Sequence, residues 1–287
     1  MTHPSPSNQL SGLAPVGRAA AWALAALLGL VNLPLHAQPE PSSGGLKAGT
    51  GEIGLKAPRN EVEAGYSRET LSNNLQDWTS TYLLASRRFG ERRVLYGGLR
   101  ETRRFGLDDS EFHVGAYYPL GSTWTAQVEG SLSPTHEVLA KNSVYGQLQK
   151  SLPGGWGLGV GLRHSEYTLT ASNVVSLLAE RYWGNFRGAY TLYSGKPEGG
   201  SSGSSHRVQL SYYYADRSSV GISYSDGREV ENVGPPRGVL ASDVRNWTLS
   251  GQHWLTPAWA LTYDLVNHEQ GNLYRRQGLR LGIRHSF

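Results

Sequence analysis

The sequence predicts an all-β protein, a closed antiparallel transmembrane β-barrel of about fourteen strands, with twelve as the alternative. Three observations carry that prediction: the alternation of the last nine residues, the regular turn signals from residue 59 onward, and tryptophans gathered at strand ends. Successive side chains of a strand point to opposite faces. In the final segment one face is Leu279, Leu281, Ile283, His285 and Phe287, and the other is Gly278, Arg280, Gly282, Arg284 and Ser286. Apolar outside and charged inside inverts a soluble core, and it is what a bilayer-spanning strand requires.

Composition narrows the classes. A chain of 287 residues makes one large domain or two small ones. The 36 Gly, 16 Tyr and 8 Trp, with a mean hydropathy of −0.42, are odd for a helical membrane protein and ordinary for a barrel. The formal charge of +4 comes from scattered basic residues, so no nucleic-acid footprint is expected. Without cysteine there can be no disulfide, thiolate metal site or Cys nucleophile.

Residues 1–37 read as a secretory signal peptide. Arg18 supplies positive charge, residues 19–33 are mostly apolar, and Leu35-His36-Ala37 precedes a cut before Gln38. An uncleaved anchor is the competing reading, but Asn32 and Pro34 leave the stretch short of the roughly 20 residues a spanning helix needs. Residues 38–58, rich in Gly, Pro and Ser, are expected to form a flexible periplasmic segment, with the barrel over 59–287.

From residue 59, alternating runs are separated by connections that are by turns short and long. The short ones are 89–92, 119–122, 153–155, 184–185, 215–218 and 255–258. The longer or more polar ones are 69–76, 105–109, 133–142, 168–173, 195–205, 227–243 and 269–274. Membrane barrels place short turns on the periplasmic side and longer loops outside, so the alternation gives topology as well as strand number. Of the outer connections, 227–243 is the longest, expected either to fold over the mouth or to bind a partner, and 195–205 is a Gly/Ser-rich linker by composition.

The faces follow from parity. Trp124, Ala126, Val128 and Gly130, then Trp156, Leu158, Val160 and Leu162, are assigned to lipid. So are Phe186, Gly188, Tyr190 and Leu192, then Val208, Leu210, Tyr212 and Tyr214, then Trp259, Leu261, Tyr263 and Leu265. The interleaved positions should line the lumen. Its charged set is Glu61, Glu63, Glu111, Glu129, Glu180 and Asp264 with Arg100, Arg163, Arg187, Arg207, Arg280 and Arg284. Opposite charges in similar numbers suit a cross-lumen network of ion pairs, since buried charges must pair; the functional alternative is a constriction that selects by charge. Tyr117, Tyr145, Tyr193 and Tyr213 also fall inside, where they fill space or stack on sugar rings. Trp124, Trp156, Trp183, Trp254 and Trp259 lie beside short turns, and Trp78 and Trp247 near the opposite strand ends, as two interfacial aromatic girdles would require.

Catalytic signals are thin. His164-Ser165-Glu166 brings suitable residue types together, but neighbours on a strand point apart, so a nucleophile–base hydrogen bond is not expected. His113, His136, His253 and His268 show no triad or metal spacing. No catalytic residue, metal or cofactor is assigned.

A last strand ending in Phe287 resembles the C-terminal assembly signal of bacterial outer-membrane barrels, carried by Leu279, Leu281, Ile283, His285 and Phe287. Several ordered segments resemble the YaiO family of outer-membrane β-barrel proteins. They are Glu63-Ala64-Gly65-Tyr66-Ser67 with Trp78, Gly115-Ala116-Tyr117-Tyr118-Pro119 after Arg104 and Asp109, and Ser131-Leu132-Ser133-Pro134. Leu152-Pro153-Gly154-Gly155-Trp156 leads to Gly161-Leu162-Arg163, followed by Tyr182-Trp183-Gly184-Asn185-Phe186 and Gly221-Ile222-Ser223-Tyr224-Ser225-Asp226-Gly227. After Gly227 the resemblance weakens. It implies architecture and an outer-membrane location, with a link to surface polysaccharide in some members. The expected function is a narrow or partly occluded channel or a structural envelope component. The rivals are a membrane-embedded lipid A or phospholipid hydrolase and a docking barrel whose outer loops bind a partner. Expected partners are outer-membrane lipid and lipopolysaccharide, and the outer-membrane assembly machinery during insertion.

Overall fold

Alternating side chains and antiparallel pairing close the chain into a ring of fourteen strands in sequence order. The structure, a computed structural model, describes residues 60–89, 92–215, 217–232 and 239–287; the expected signal peptide and the segment 38–58 lie outside them. The strands are β1 Asn60–Leu71, β2 Trp78–Arg88, β3 Val94–Arg104, β4 Leu107–Pro119, β5 Trp124–Leu132, β6 Asn142–Ser151 and β7 Trp156–Glu166. They continue as β8 Ala171–Trp183, β9 Phe186–Pro197, β10 Gly203–Tyr214, β11 Ser218–Asn232, β12 Val239–Trp254, β13 Trp259–Gln270 and β14 Tyr274–Ser286.

Each strand pairs with its sequence neighbours, and β1 closes on β14 with Glu63 opposite Arg284 and Ser67 opposite Arg280. Asn60 and Phe287 tie the two ends together, each donating its N–H to the other's carbonyl at 3.1 and 3.0 Å. Closure leaves no open sheet edge, the condition for backbone to sit in hydrocarbon.

Turn chemistry explains the tightest corners. Phe105 and Gly106 take φ of 53° and 81°, the positive values at both central positions that a type I′ hairpin demands. Gly184 takes φ of 55° in the connection 184–185. At Pro153–Gly155 the chain makes a single 3-10 turn.

Several expected loops are strand instead. The segment 105–109 shrinks to the two-residue turn, because β4 begins at Leu107. The connection 195–205 reduces to 198–202, and 269–274 to 271–273. The expected loop 227–243 is largely a hairpin extension, since β11 and β12 stay paired from Gly227↔Val244 out to Asn232↔Val239. Polar composition masked these ends: a strand that outruns the bilayer no longer needs an apolar outer face, yet its backbone ladder still holds.

The outer surface is apolar. Val128, Val160, Leu210 and Ile283 are exposed, and Phe287 keeps 64 % of its surface. An aromatic belt surrounds the end that carries Asn60 and Phe287. Tyr214 is hydrogen-bonded to His253 Nδ1, His253 Nε2 to the Tyr263 hydroxyl at 3.2 Å, and Trp259 packs on His285 with centroids 4.3 Å apart. Lys150 and Arg181 fold over Trp124 and Trp156 at 5.1 and 5.2 Å, the arrangement by which long cations reach an interface. Trp247, at the opposite end, is 49 % exposed.

Two tryptophans depart from the girdle expectation. Trp78 is only 2 % exposed and packs inward against Phe105 and Tyr274. Trp254 shares the inward parity of Ser250 and Gln252, and the Arg217 guanidinium lies 3.2 Å from its ring centroid. Nearness to a turn places a ring at the right height, but parity decides which side of the wall it faces.

Candidate functional site

Among the described residues the bore is the environment that gathers polar chemistry, and it is built almost wholly from alternate strand positions. At the base, Arg217 in the β10–β11 turn donates to Glu61 Oε1 at 2.8 Å and to the Pro257 carbonyl at 3.2 Å. This side chain reaches past β11, β12, β13 and β14 to β1, so it spans a chord of the barrel floor.

Above it sits the most connected carboxylate. Glu63, 2 % exposed, accepts from Arg284 Nη2 at 2.6 Å and Nε at 2.8 Å, from the Tyr82 hydroxyl at 2.8 Å and from Thr262 Oγ1 at 2.9 Å. Arg280 lies 3.7 Å away and also pairs with Asp264. Arg284 extends to Glu61 at 3.3 Å and Gln252 at 2.8 Å. Room for this cluster comes from Gly282: a Cβ there would stand 2.4 Å from the Tyr82 hydroxyl, 2.6 Å from Thr262 Oγ1 and 2.8 Å from Glu63 Oε1.

On the facing wall Glu129 accepts from the Tyr96 hydroxyl at 2.8 Å and from Arg163 at 3.4 Å. Gln127 donates to that hydroxyl at 2.9 Å. Arg163 lies 4.7 Å from the Tyr145 ring, and Arg207 lies 5.5 Å from that of Tyr193. Glu180 is held by Arg187 at 2.8 Å and by Gln149, and Arg100 is 3.8 Å from Glu111. The pairing is what burial of charge requires.

Two features of the outer end are not among the charges assigned from sequence. The first is Asp109, 1 % exposed, whose carboxylate accepts the backbone N–H groups of Glu137, Val138 and Leu139 at 2.8, 2.7 and 2.8 Å. It tethers the connection 133–141 to β4 and buries Val138 and Leu139. The second surrounds Trp78: Arg104 and Arg276 each lie 4.7 Å from its ring centroid, and Arg276 pairs with Glu69 at 2.6 Å. Glu69, Asp109 and Phe105 were hidden in segments read as connections. Continuing the strand parity two residues further exposes the signal, since Glu69 is in step with Glu61 and Glu63, and Arg276 with Arg280 and Arg284.

The His164-Ser165-Glu166 group does not assemble as a nucleophile and base. Ser165 faces inward and donates to Ser143 Oγ at 3.1 Å, whereas His164 faces out and bonds Asn173 at 2.9 Å.

Comparison with curated proteins finds no match. Among solved structures, a bacterial polysaccharide outer membrane secretin aligns with a TM-score of 0.52 at 9 % identity, covering 80 % of this chain and 99 % of its own. An outer membrane protein of Acinetobacter baumannii aligns at 0.49 and 13 % identity, covering 81 % and 100 %. An anion-selective porin of Comamonas acidovorans aligns at 0.45 and 10 %, covering 79 % and 98 %. At 9 % identity the likeness to the secretin is one of fold alone. The model of the YaiO membrane beta barrel domain matches residues 59–232, stopping where the sequence resemblance also weakens. With a closed fourteen-stranded barrel, a greasy exterior and a charged bore, the chain belongs to the YaiO membrane β-barrel family.

Proposed function

We propose that this barrel is a passive, narrow and partly occluded channel for small polar solutes across a bacterial outer membrane. One observation carries the reading: polar side chains line the bore from the Arg217–Glu61 chord to the loop held by Asp109. Ionic groups so placed are stable only when paired or wet, and a bore lined by them supports passage of water and polar solutes better than of apolar ones. Partial occlusion follows from pairs that reach over intervening strands, such as Arg163–Glu129 and Arg217–Glu61, and from the tethered loop. Export of a precursor by its signal peptide, insertion by the assembly machinery, and contact with lipopolysaccharide at the outer leaflet belong to the same reading.

A non-enzymatic role is supported by the opposite orientations of His164 and Ser165. Small solutes are favoured over a polysaccharide chain because the Tyr96 hydroxyl and the Tyr145 ring are already engaged by Glu129 and Arg163. Purified barrel in planar bilayers should give small stepwise conductance, enlarged by Asp109→Ala. Silence from both proteins after verified insertion would leave a structural envelope role and end the channel reading.

A further inference from the structure

We propose that the outer end of the bore holds an oxyanion-binding site, centred on Arg104 and backed by Arg276 and Trp78, for the carboxylate or phosphate of an entering solute. It rests on the channel reading only for how the solute arrives.

Four consecutive strands of the ring build the site at one height. Trp78 opens β2, Arg104 ends β3, Arg276 stands near the start of β14, and Glu69 near the end of β1. Both guanidinium groups crowd one indole, each 4.7 Å from its centroid. A single carboxylate, Glu69, faces them, and Arg276 engages it at 2.6 Å. Among the described residues Arg104 makes no ion pair within 4 Å, and its guanidinium lies over the Trp78 indole. Its electrostatic neighbours are Arg276, Glu69, Arg100 and Tyr274; Arg100 is matched by Glu111 at 3.8 Å, which leaves Arg104 and Arg276 against Glu69. The local balance is one positive charge in excess.

Donors there also lack acceptors. Arg276 Nε and Trp78 Nε1 are buried without a hydrogen-bond partner, although buried donors nearly always find one. The residues packed with Trp78, namely Phe105, Tyr274, Leu71, Leu75 and Leu273, are aromatic or aliphatic, so the excess charge is screened less than at an open surface. Arg104 itself is part-exposed. Its planar guanidinium is the fork that fits a carboxylate or phosphate edge; Arg276 adds positive charge at the same indole, and Trp78 lies 4.7 Å from each group.

The test uses the folded barrel in detergent micelles, with inorganic phosphate and glucuronate as separate probes against chloride at matched ionic strength. Thermal melting should show a saturable rise with either oxyanion at millimolar concentration, below the range where phosphate stabilises proteins generally. Arg104→Gln should weaken the apparent affinity by about tenfold or more, the factor carried by about 1.4 kcal/mol. Arg103→Gln, one residue away on the outer face, should leave it unchanged. Should Arg104→Gln not fold, Arg104→Lys keeps the charge without the fork and should still weaken binding. No oxyanion-specific rise in the native protein, or an equal rise in the Arg104 variant, overturns the site. Because melting needs no conduction, a silent bilayer would dismiss the channel and leave this site standing, and the reverse outcome would do the opposite.

Discussion

Arg284 closes on Glu63 with two hydrogen bonds, at 2.6 and 2.8 Å, joining the last strand to the first across 221 residues of sequence. The pair sits at the β1–β14 seam, which among the described strands joins elements that are not sequence neighbours, so barrel closure and charge pairing happen at one place. Loop closure between distant segments is entropically costly, and a buried carboxylate shared by Arg284 and Arg280 rewards it only in the correct register.

Removing that carboxylate should be expensive. Glu63→Gln leaves two inward guanidiniums without their shared partner, a loss of about 3–5 kcal/mol by analogy with broken buried pairs. Urea titration of refolding into micelles, followed by the gel-mobility shift of folded barrels, would measure it. A midpoint equal to that of the native protein would contradict the assigned role.

Reversal of face is testable on β14. Leu281 faces outward at mid-strand and Arg280 inward. Leu281→Arg should destabilise the membrane-inserted barrel by about 2–4 kcal/mol. Unfolding from lipid vesicles is the appropriate assay, since micelles tolerate a misplaced charge more readily.

The tether at the mouth should be separable from the fold. Asp109→Ala removes three hydrogen bonds to one carboxylate and should loosen the connection 133–141 by on the order of 3 kcal/mol. Faster proteolytic cleavage within 133–141, with the strands protected, is the expected pattern. Cleavage unchanged from the native protein would mean that the loop is held by other contacts.

Packing at the seam predicts a size limit. Gly282→Ala must displace the Tyr82 hydroxyl or the Glu63 carboxylate, because its Cβ would fall within 3 Å of both. Overpacking of this kind costs about 1–3 kcal/mol. A Gly282→Ala, Tyr82→Phe double variant should recover part of the loss, since the phenylalanine lacks the nearest clashing atom.

Reading the chain alone placed Leu279, Leu281 and Ile283 outside and Arg280 and Arg284 inside because side-chain direction in a strand is local, repeating every two residues. The fourteen-strand count is legible for a similar reason: turn residues such as Gly184 act within two to four positions. What the alternation could not say is which inward groups meet. Arg217 with Glu61, or Arg163 with Glu129, face each other over intervening strands, and that depends on stagger and tilt summed around the ring. Trp78 and Trp254 leave the girdle pattern because girdle height is a property of position along a strand, while inward packing depends on neighbours from other strands. Local periodicity therefore determined the wall and its two faces. Only closure of the wall decided the partners in the bore, because those contacts exist between residues far apart in sequence.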